Sequence, residues 1–460
     1  MSDSTQDPVS LSTHERKPDS AESGEDRSPS DSTVDSPPRD RKDSRKRDEN
    51  RGGESKHRSG EKSYRRGNRK RDRDRDRRNR KKKKEVPLGP PEECEGLLEI
   101  SSKGFGFLRQ EEQNYNQTPQ DVFVTPEIVR VNGLRDGLWV KCLARKGSRG
   151  PQLSDLIEVN GSRPQKYRNL PYFEELTAIN PDKRIVLETE PDRTTTLVID
   201  MMTPIGRGQR GLIVAPPRTG KTTLLMHIGE AITKSHPDTK LMVMLIDERP
   251  EEVTEFTRAL PNADIMASSN DSDVKSHVRI AQLAIERAKR LAEAGEHVFI
   301  LMDSITRLGR AFNNAIKGKG RTMSGGIDVK ALEIPRRLFA AARNTREAGS
   351  ITIIATALVQ TGSKMDELIF QEFKGTGNME LVLDRRIAEQ YIYPAIDIHR
   401  SGSRREELLL PPHQLEKIYL IRRGLAGHKP EEAIQRLLSF IERFPNNAQL
   451  LLEIKASSAA

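Results

Sequence analysis

GLIVAPPRTGKTTLLMHIGEAITK, Gly211 to Lys234, is the stretch on which the fold turns. It opens as a short apolar run of the kind that crosses a sheet covered on both faces. It closes as a helical segment beginning near Lys221. Between them lies a loop, Ala215-Pro216-Pro217-Arg218-Thr219-Gly220, that runs into Lys221-Thr222-Thr223. Strand, loop and helix in this order form the context of a phosphate loop, in which backbone N–H groups and the helix N-terminus face the phosphates. Lys221 is expected to reach the β- and γ-phosphates and the Thr222 hydroxyl to hold Mg²⁺. Ala215 stands where the opening glycine is usual and adds only a methyl group. Gly220, where the backbone must come closest, is kept.

Outward from this loop the chain alternates strands and helices from about residue 174 to 425. KLMVMLID, HVFILMD and SITIIATAL read as further strands, and VKSHVRIAQLAIERAKRLAEAG as a helix. Near-continuous apolar strands separated by helices predict a mostly parallel α/β sheet. Two strand ends carry carboxylates. Asp303 ends HVFILMD, where a second Mg²⁺ contact is expected. Asp247 and Glu248 end LMVMLIDE, and a glutamate there can polarise an attacking water, which makes the site hydrolytic. Arg249 follows and is expected near the phosphates.

Ahead of this domain, residues 93–160 hold short alternating strands broken by turns, EGLLEI, GFGFLR, DVFVTP and LWVKCLARK, which predict a small β-barrel. Successive strand residues face opposite ways. Lys103, Phe105, Phe107 and Arg109 therefore share one face, and Asp121 and Phe123 share a face from which Val122 and Val124 turn away. Aromatic rings beside cations make a stacking platform for single-stranded bases.

The formal charge of +10 is unevenly spread: residues 41–84 carry 23 basic and 8 acidic side chains, whereas everything after residue 84 carries 51 and 50. Residues 1–88 have few apolar side chains and no periodicity, so they read as a disordered charged tail. Its run RKRDRDRDRRNRKKKK, Arg69 to Lys84, could serve as an electrostatic arm for nucleic acid, a solubilising tail or a basic import signal. Two cysteines, Cys94 and Cys142, suggest neither a disulfide framework nor a zinc site, which fits a reducing, intracellular setting. No apolar run approaches a membrane span, and no signal-peptide core opens the chain.

GFGFLR, APPRTGKT, LMVMLIDERPEEVTE, DSITRLGRA, ATALVQTGSKMDE, FKGTGNMEL and PAIDIHRSGSRREELL, in this order over roughly residues 94–430, closely resemble the Rho family of bacterial transcription termination factors. The resemblance implies an OB-fold RNA-binding barrel at 93–160, a linker at 161–175, a RecA-like P-loop ATPase domain at 176–430 and a C-terminal helical segment at 431–460. It also implies a cytoplasmic homohexameric ring, free of any membrane. Such a ring hydrolyses ATP with Mg²⁺, translocates along single-stranded RNA as a helicase, and frees the nascent transcript from RNA polymerase. Matched by motif, residues 215–223 (Ala215, Pro216, Pro217, Arg218, Thr219, Gly220, Lys221, Thr222 and Thr223) bind ATP. Glu248 activates water, and Asp303 joins Thr222 on the metal. Arg404 is the arginine finger given across the subunit boundary, and Tyr393 stacks on adenine. Phe105, Phe107, Arg109, Asp121 and Phe123 match the primary RNA site. Lys364, and the loop of Arg321 with Ser324-Gly325-Gly326, match the RNA-gripping loops of the central pore. Two departures stand out. The charged tail takes the place of a helical subdomain common ahead of the barrel, and Gln152 and Leu153 stand where the family's barrel tends to carry a later aromatic. A rotary-type ATPase subunit shares the ATPase core but has no use for a Lys-Phe-Phe-Arg strand face. A passive RNA binder has no use for Glu248, Asp303 and Arg404 together.

Overall fold

A computed structural model describes residues 89–147, 150–316, 326–328 and 330–454. The charged tail and its basic arm lie outside the described residues, as do Arg321, Ser324 and Gly325.

Five strands, β1 (Glu92–Ile100), β2 (Gly106–Arg109), β3 (Val122–Val124), β4 (Trp139–Gly147) and β5 (Gly150–Val159), close into a barrel in the order β1-β2-β3-β5-β4. Val122 and Val124 are buried in its core with Leu98, Leu108, Val140 and Leu153, while Phe123 between the valines faces outward, as strand alternation requires. A short helix, α1 (Pro126–Asn132), follows β3. The Thr125 side chain accepts from Ile128 N at its start, and Gly133 ends it at φ 61°.

Three local features depart from expectation. The alternation through 103–109 predicts one strand, but pairing starts only at Gly106, and Ser101–Phe105 form the hairpin turn, with Ser101 N donating to the Phe105 carbonyl at 2.8 Å. Gly106 has no room for a side chain, because a Cβ there would lie 2.7 Å from Leu98 Cδ1. The fifth strand was not legible in GPQLSDLIEV, whose polar residues mask its alternation. The stretch read as a polar linker holds a helical turn, Pro164–Arg168, and Phe173, which is fully buried in the ATPase core with its N–H given to Glu293 Oε1 at 2.8 Å.

The second domain is built on a nine-stranded sheet. Its main path is β8-β7-β9-β10-β6-β11-β12, formed by β6 (Arg210–Ala215), β7 (Thr239–Glu248), β8 (Asp264–Ser269), β9 (His297–Asp303), β10 (Ser350–Leu358), β11 (Met379–Val382) and β12 (Gly402–Ser403). All pairings along this path are parallel except β11 with β12. Two apolar layers cover its faces. On one lie α2 (Thr194–Met202), α3 (Lys221–Ser235) and the C-terminal helices, among them Pro430–Ile441. On the other lie α5 (Val274–Glu293) and α6 (Ile305–Ile316). Parallel strands put all their C-terminal ends at one margin, and the phosphate loop leaves β6 there, two strands from β9 and three from β7.

The barrel is fixed to this sheet. Asn114, in a left-handed conformation at φ 49°, gives its amide to the Ala267 carbonyl at 2.7 Å and accepts from Ala267 N at 3.1 Å. Tyr115 is buried beside it and donates to Asp264 Oδ1 at 2.6 Å.

Candidate nucleotide site and nucleic-acid interface

Alternation along β6 explains the loop's unusual opening. Ile213 and Ala215 point into the layer beneath α3, so the Ala215 methyl group is buried in the core and turned away from the loop. Arg218 and Gly220 take positive φ values of 65° and 81°, and Thr219 Oγ1 donates to the Pro216 carbonyl at 2.8 Å, which closes the turn. Lys221 and Thr222 then open α3 with their backbone N–H groups at its N-terminus.

Lys221 Nζ donates to Asp303 Oδ2 and lies 3.5 Å from Glu248 Oε1. Asp303 is fully buried and its other oxygen accepts from Thr356 Oγ1 at 2.7 Å. Glu248 joins this group only through a backbone irregularity. Met242, Met244 and Ile246 face the α5 layer, whereas Val243 and Leu245 face the α3 layer. By simple alternation Glu248 would follow Ile246, on the wrong face. Asp247 takes φ 58° and the register with β8 slips there, so Glu248 pairs with Ser269 directly after Ile246 pairs with Ser268. This bulge flips Glu248 onto the face of Lys221 and Asp303. Asp is among the few residue types that tolerate the left-handed region.

Arg307, which the sequence did not single out, holds the bulge in place. Its Nη1 donates to the Asp247 carbonyl, and its Nη2 lies 2.8 Å from Glu248 Oε2. That oxygen is buried and meets Arg307 as an ion pair, while Arg307 Nη2 donates to the other carboxylate oxygen, Glu248 Oε1, at 3.3 Å. Burial first, and Asp303 next, push the Glu248 carboxyl up to about 7, against the downward pull of Lys221 and Arg307. A carboxyl poised there can act as a general base near neutral pH. Removing Arg307 removes a stabiliser of the ionised form. In Arg307→Ala the acid limb of the kcat–pH profile, expected near pH 7 in the parent, should therefore move to higher pH. An unmoved limb would separate Arg307 from Glu248.

Arg249 follows Glu248 and is exposed at the start of α4 (Pro250–Ala259). The half-exposed ring of Tyr393 lies over the phosphate loop, 3.4 Å from where a Gly220 Cβ would sit. Beside it opens a cavity of about 360 Å³ lined by Thr195, Thr223, His227 and Ala395 among others. Arg404 is elsewhere. Its N–H goes to the Asn378 carbonyl at 2.8 Å, at the edge strand β12 and level with Arg210, the first residue of β6. At about 3.3 Å per residue, that is roughly 17 Å short of Ala215, beyond the reach of one arginine side chain. The exposed Arg404 therefore does not serve the phosphate loop of its own chain. Lys364 is exposed at the first turn of α7 (Lys364–Lys374), and Gly326 packs beside the next residue, Met365. Gly326 and the start of α7 thus lie side by side, while Arg321 lies outside the described residues.

On the barrel, Phe105, Phe107 and Phe123 form a triangle with ring centroids 5.6–5.8 Å apart. They line an open cavity of about 480 Å³ together with Pro119, Pro151 and Gln152. Gln152 pairs with Phe123 across the strands, whereas Leu153 is buried in the barrel core. Lys103 is exposed, as expected. Arg109 is not: it is 6% exposed, donates to Glu99 Oε2 at 2.5 Å and to Asp121, and its guanidinium lies 5.0 Å from the Phe107 ring centre. The expectation of a free cation at Arg109 is thereby corrected. Asp121, also buried, takes the charge and is itself held by Thr118. The pair braces Phe107 from behind.

Fold and site together define a RecA-like P-loop ATPase joined to a small RNA-binding barrel. Residues 94–165 match the family described as Rho termination factor, RNA-binding domain, and residues 195–403 the ATP synthase alpha/beta family, nucleotide-binding domain. The chain is 47% identical over 362 residues to the transcription termination factor Rho of Cereibacter sphaeroides, covering 77% of this chain and 85% of the relative. It is 46% identical over 367 residues to that of Aquifex aeolicus (78% and 84%), and 46% over 369 residues to that of Escherichia coli (79% and 88%). The chain belongs to the Rho family of transcription termination factors. Among solved structures, it is similar to an ATPase from the type III secretion system of pathogenic bacteria (TM-score 0.52, 24% identity, covering 65% of this chain and 93% of the other). It is also similar to an ATP synthase subunit from Nanoarcheaum equitans (0.51, 18%, 60% and 76%). These two likenesses establish the fold of the ATPase core. No helix among the described residues is long and apolar enough to cross a membrane.

Proposed function

We propose that this chain is an RNA-driven ATPase that assembles as a cytoplasmic homohexamer, moves along single-stranded RNA and separates the transcript from RNA polymerase. The observation that carries this reading is the presence, on one chain, of a hydrolytic cluster and a three-phenyl platform on a barrel anchored to the same sheet. Lys221 takes the β- and γ-phosphates, Glu248 accepts a proton from the attacking water, and Arg307 keeps that carboxylate turned inward. Tyr393 stacks on the base. Arg404 completes the site of the neighbouring protomer, which its distance from its own phosphate loop supports.

The donor set fits Mg²⁺. Thr222 and Asp303 offer hard oxygen ligands, and the described residues contain no three-residue metal cage, as expected for an ion held by one or two side chains and the substrate's phosphates. When bound, Mg²⁺ neutralises charge developing between the phosphates.

Bases of the RNA stack on Phe105, Phe107 and Phe123. Stacking is worth about 1–3 kcal/mol per base, so Phe105→Ala or Phe107→Ala should each weaken single-stranded RNA binding about 5- to 150-fold, measured by filter retention or fluorescence anisotropy. An affinity unchanged in both would take the platform out of RNA binding. The whole reading is tested by ATP hydrolysis without nucleic acid, with single-stranded RNA and with single-stranded DNA. Turnover that depends on RNA is expected. Equal turnover in all three would favour a rotary-type ATPase subunit, whose core shares this fold, and absence of turnover would leave a passive RNA binder.

A further inference from the structure

Tyr172 is half exposed in the stretch between barrel and ATPase core. One face of its ring is covered by the Arg135 guanidinium, 3.9 Å from the ring centre. Arg135 is itself held fast. Its Nη1 donates to Glu293 Oε2 at 3.0 Å and to the Pro171 carbonyl at 3.1 Å, and its Nη2 to the Leu170 carbonyl at 2.5 Å. The next residue, Phe173, is locked into the ATPase core. A ring so fixed, and backed by a cation, has little conformational freedom left to lose when a flat group meets its open face.

The fold gathers further cations beside this ring. Arg168 packs on the end of α1, its Cγ 3.3 Å from where a Gly133 Cβ would sit, and Gly133 stands two residues before Arg135. Arg130 lies in the last turn of α1, and Arg163 and Lys166 lead through the helical turn that ends at Arg168. All four are exposed, and none meets a carboxylate among the described residues. The acids closest in sequence are Glu127, at the start of α1, and Glu175, which accepts from Tyr172 N at 3.0 Å. Four positive charges thus stand against two negative ones. The core of a protein interface is depleted in charge, whereas an open aromatic face among cations fits a single-stranded polyanion with bases to stack. β5 runs from Gln152, beside the phenyl triangle, to Val159, about 23 Å further on, and Arg163 follows. We propose that Tyr172 stacks a second stretch of the same RNA while Arg130, Arg163, Lys166 and Arg168 take its phosphates, so that a strand leaving the three-phenyl platform is guided along the barrel to the ATPase domain. This inference rests on the RNA reading of that platform and adds a second contact to it.

The test is binding of two single-stranded RNAs, one of about 4 nucleotides that the platform alone accommodates and one of about 16 that reaches both places, by anisotropy competition. It compares the full chain with Phe107→Ala, Tyr172→Ala, Tyr172→Trp and the triple variant Arg130→Ala, Lys166→Ala, Arg168→Ala. Tyr172→Ala should weaken the longer RNA about 5- to 150-fold and leave the shorter one within about two-fold, and Tyr172→Trp should keep both. The triple variant should flatten the slope of log affinity against log salt for the longer RNA by about 2, at roughly 0.7 per phosphate contact. Equal loss on both RNAs, no loss, or an unchanged slope overturns the proposal. So does a Tyr172→Ala chain that binds the longer RNA as the parent does but assembles to a different mass, which would give the ring to a contact between copies. If Phe107→Ala weakens both RNAs while Tyr172→Ala weakens neither, only this second contact falls. If neither variant moves either affinity, the RNA reading of the barrel falls with it.

Discussion

Glu248→Gln is expected to lower kcat for RNA-stimulated ATP hydrolysis about 10²- to 10⁴-fold while ATP still binds. The amide keeps the size of the side chain and its place after the bulge, but it cannot take a proton. Neutralising Glu248 also removes a partner of Lys221 and of Arg307, leaving Lys221 to Asp303 alone. Binding of a labelled nucleotide should therefore persist, with turnover lost. Turnover within a few-fold of the parent would assign the water-activating role to another group.

Arg404→Ala is expected to reduce kcat by about 10³- to 10⁵-fold, the contribution of an arginine that stabilises charge on a transferring phosphoryl group. The position of Arg404 at the far edge of the sheet makes a sharper outcome available. Arg404→Ala protomers retain Glu248, and Glu248→Gln protomers retain Arg404. In a mixed assembly, a site that takes Glu248 from the first and Arg404 from the second is complete. Two preparations inactive alone should recover measurable turnover when dissociated, mixed and reassembled. Failure to recover, with mixed assembly verified by mass spectrometry, would place Arg404 outside its neighbour's site.

Much of this was legible in the sequence because it depends on local periodicity. The alternation Val122-Phe123-Val124 settles which side chain leaves the barrel core, and an apolar run ending at Ala215 ahead of Gly220-Lys221-Thr222 settles where the phosphate loop lies. What escaped depends on partners distant in the chain or on single dihedral angles. The bulge at Asp247 resides in one φ value and a one-residue register slip, and strict alternation would place Glu248 on the opposite face. Arg109 shares a face with Phe107, as expected, but periodicity could not reveal that Glu99 and Asp121 would take its charge. Arg307 lies in DSITRLGRA without a signal of its own; only the fold brings it to the end of β7. Phe173 sits in a polar stretch, and its burial follows from contact with α5 more than a hundred residues later.

Asn114 imitates one residue of an additional strand, pairing with both backbone groups of Ala267 on the outer side of β8. An open margin of that kind is a ready template for unwanted strand addition, and here the protein's own barrel occupies it. The two margins of the sheet are therefore unequal: one is plugged from within, while the other displays β12 and Arg404. In the homohexamer proposed above, two unlike margins would favour head-to-tail contact between copies, the kind of contact that generates rings when the rotation closes.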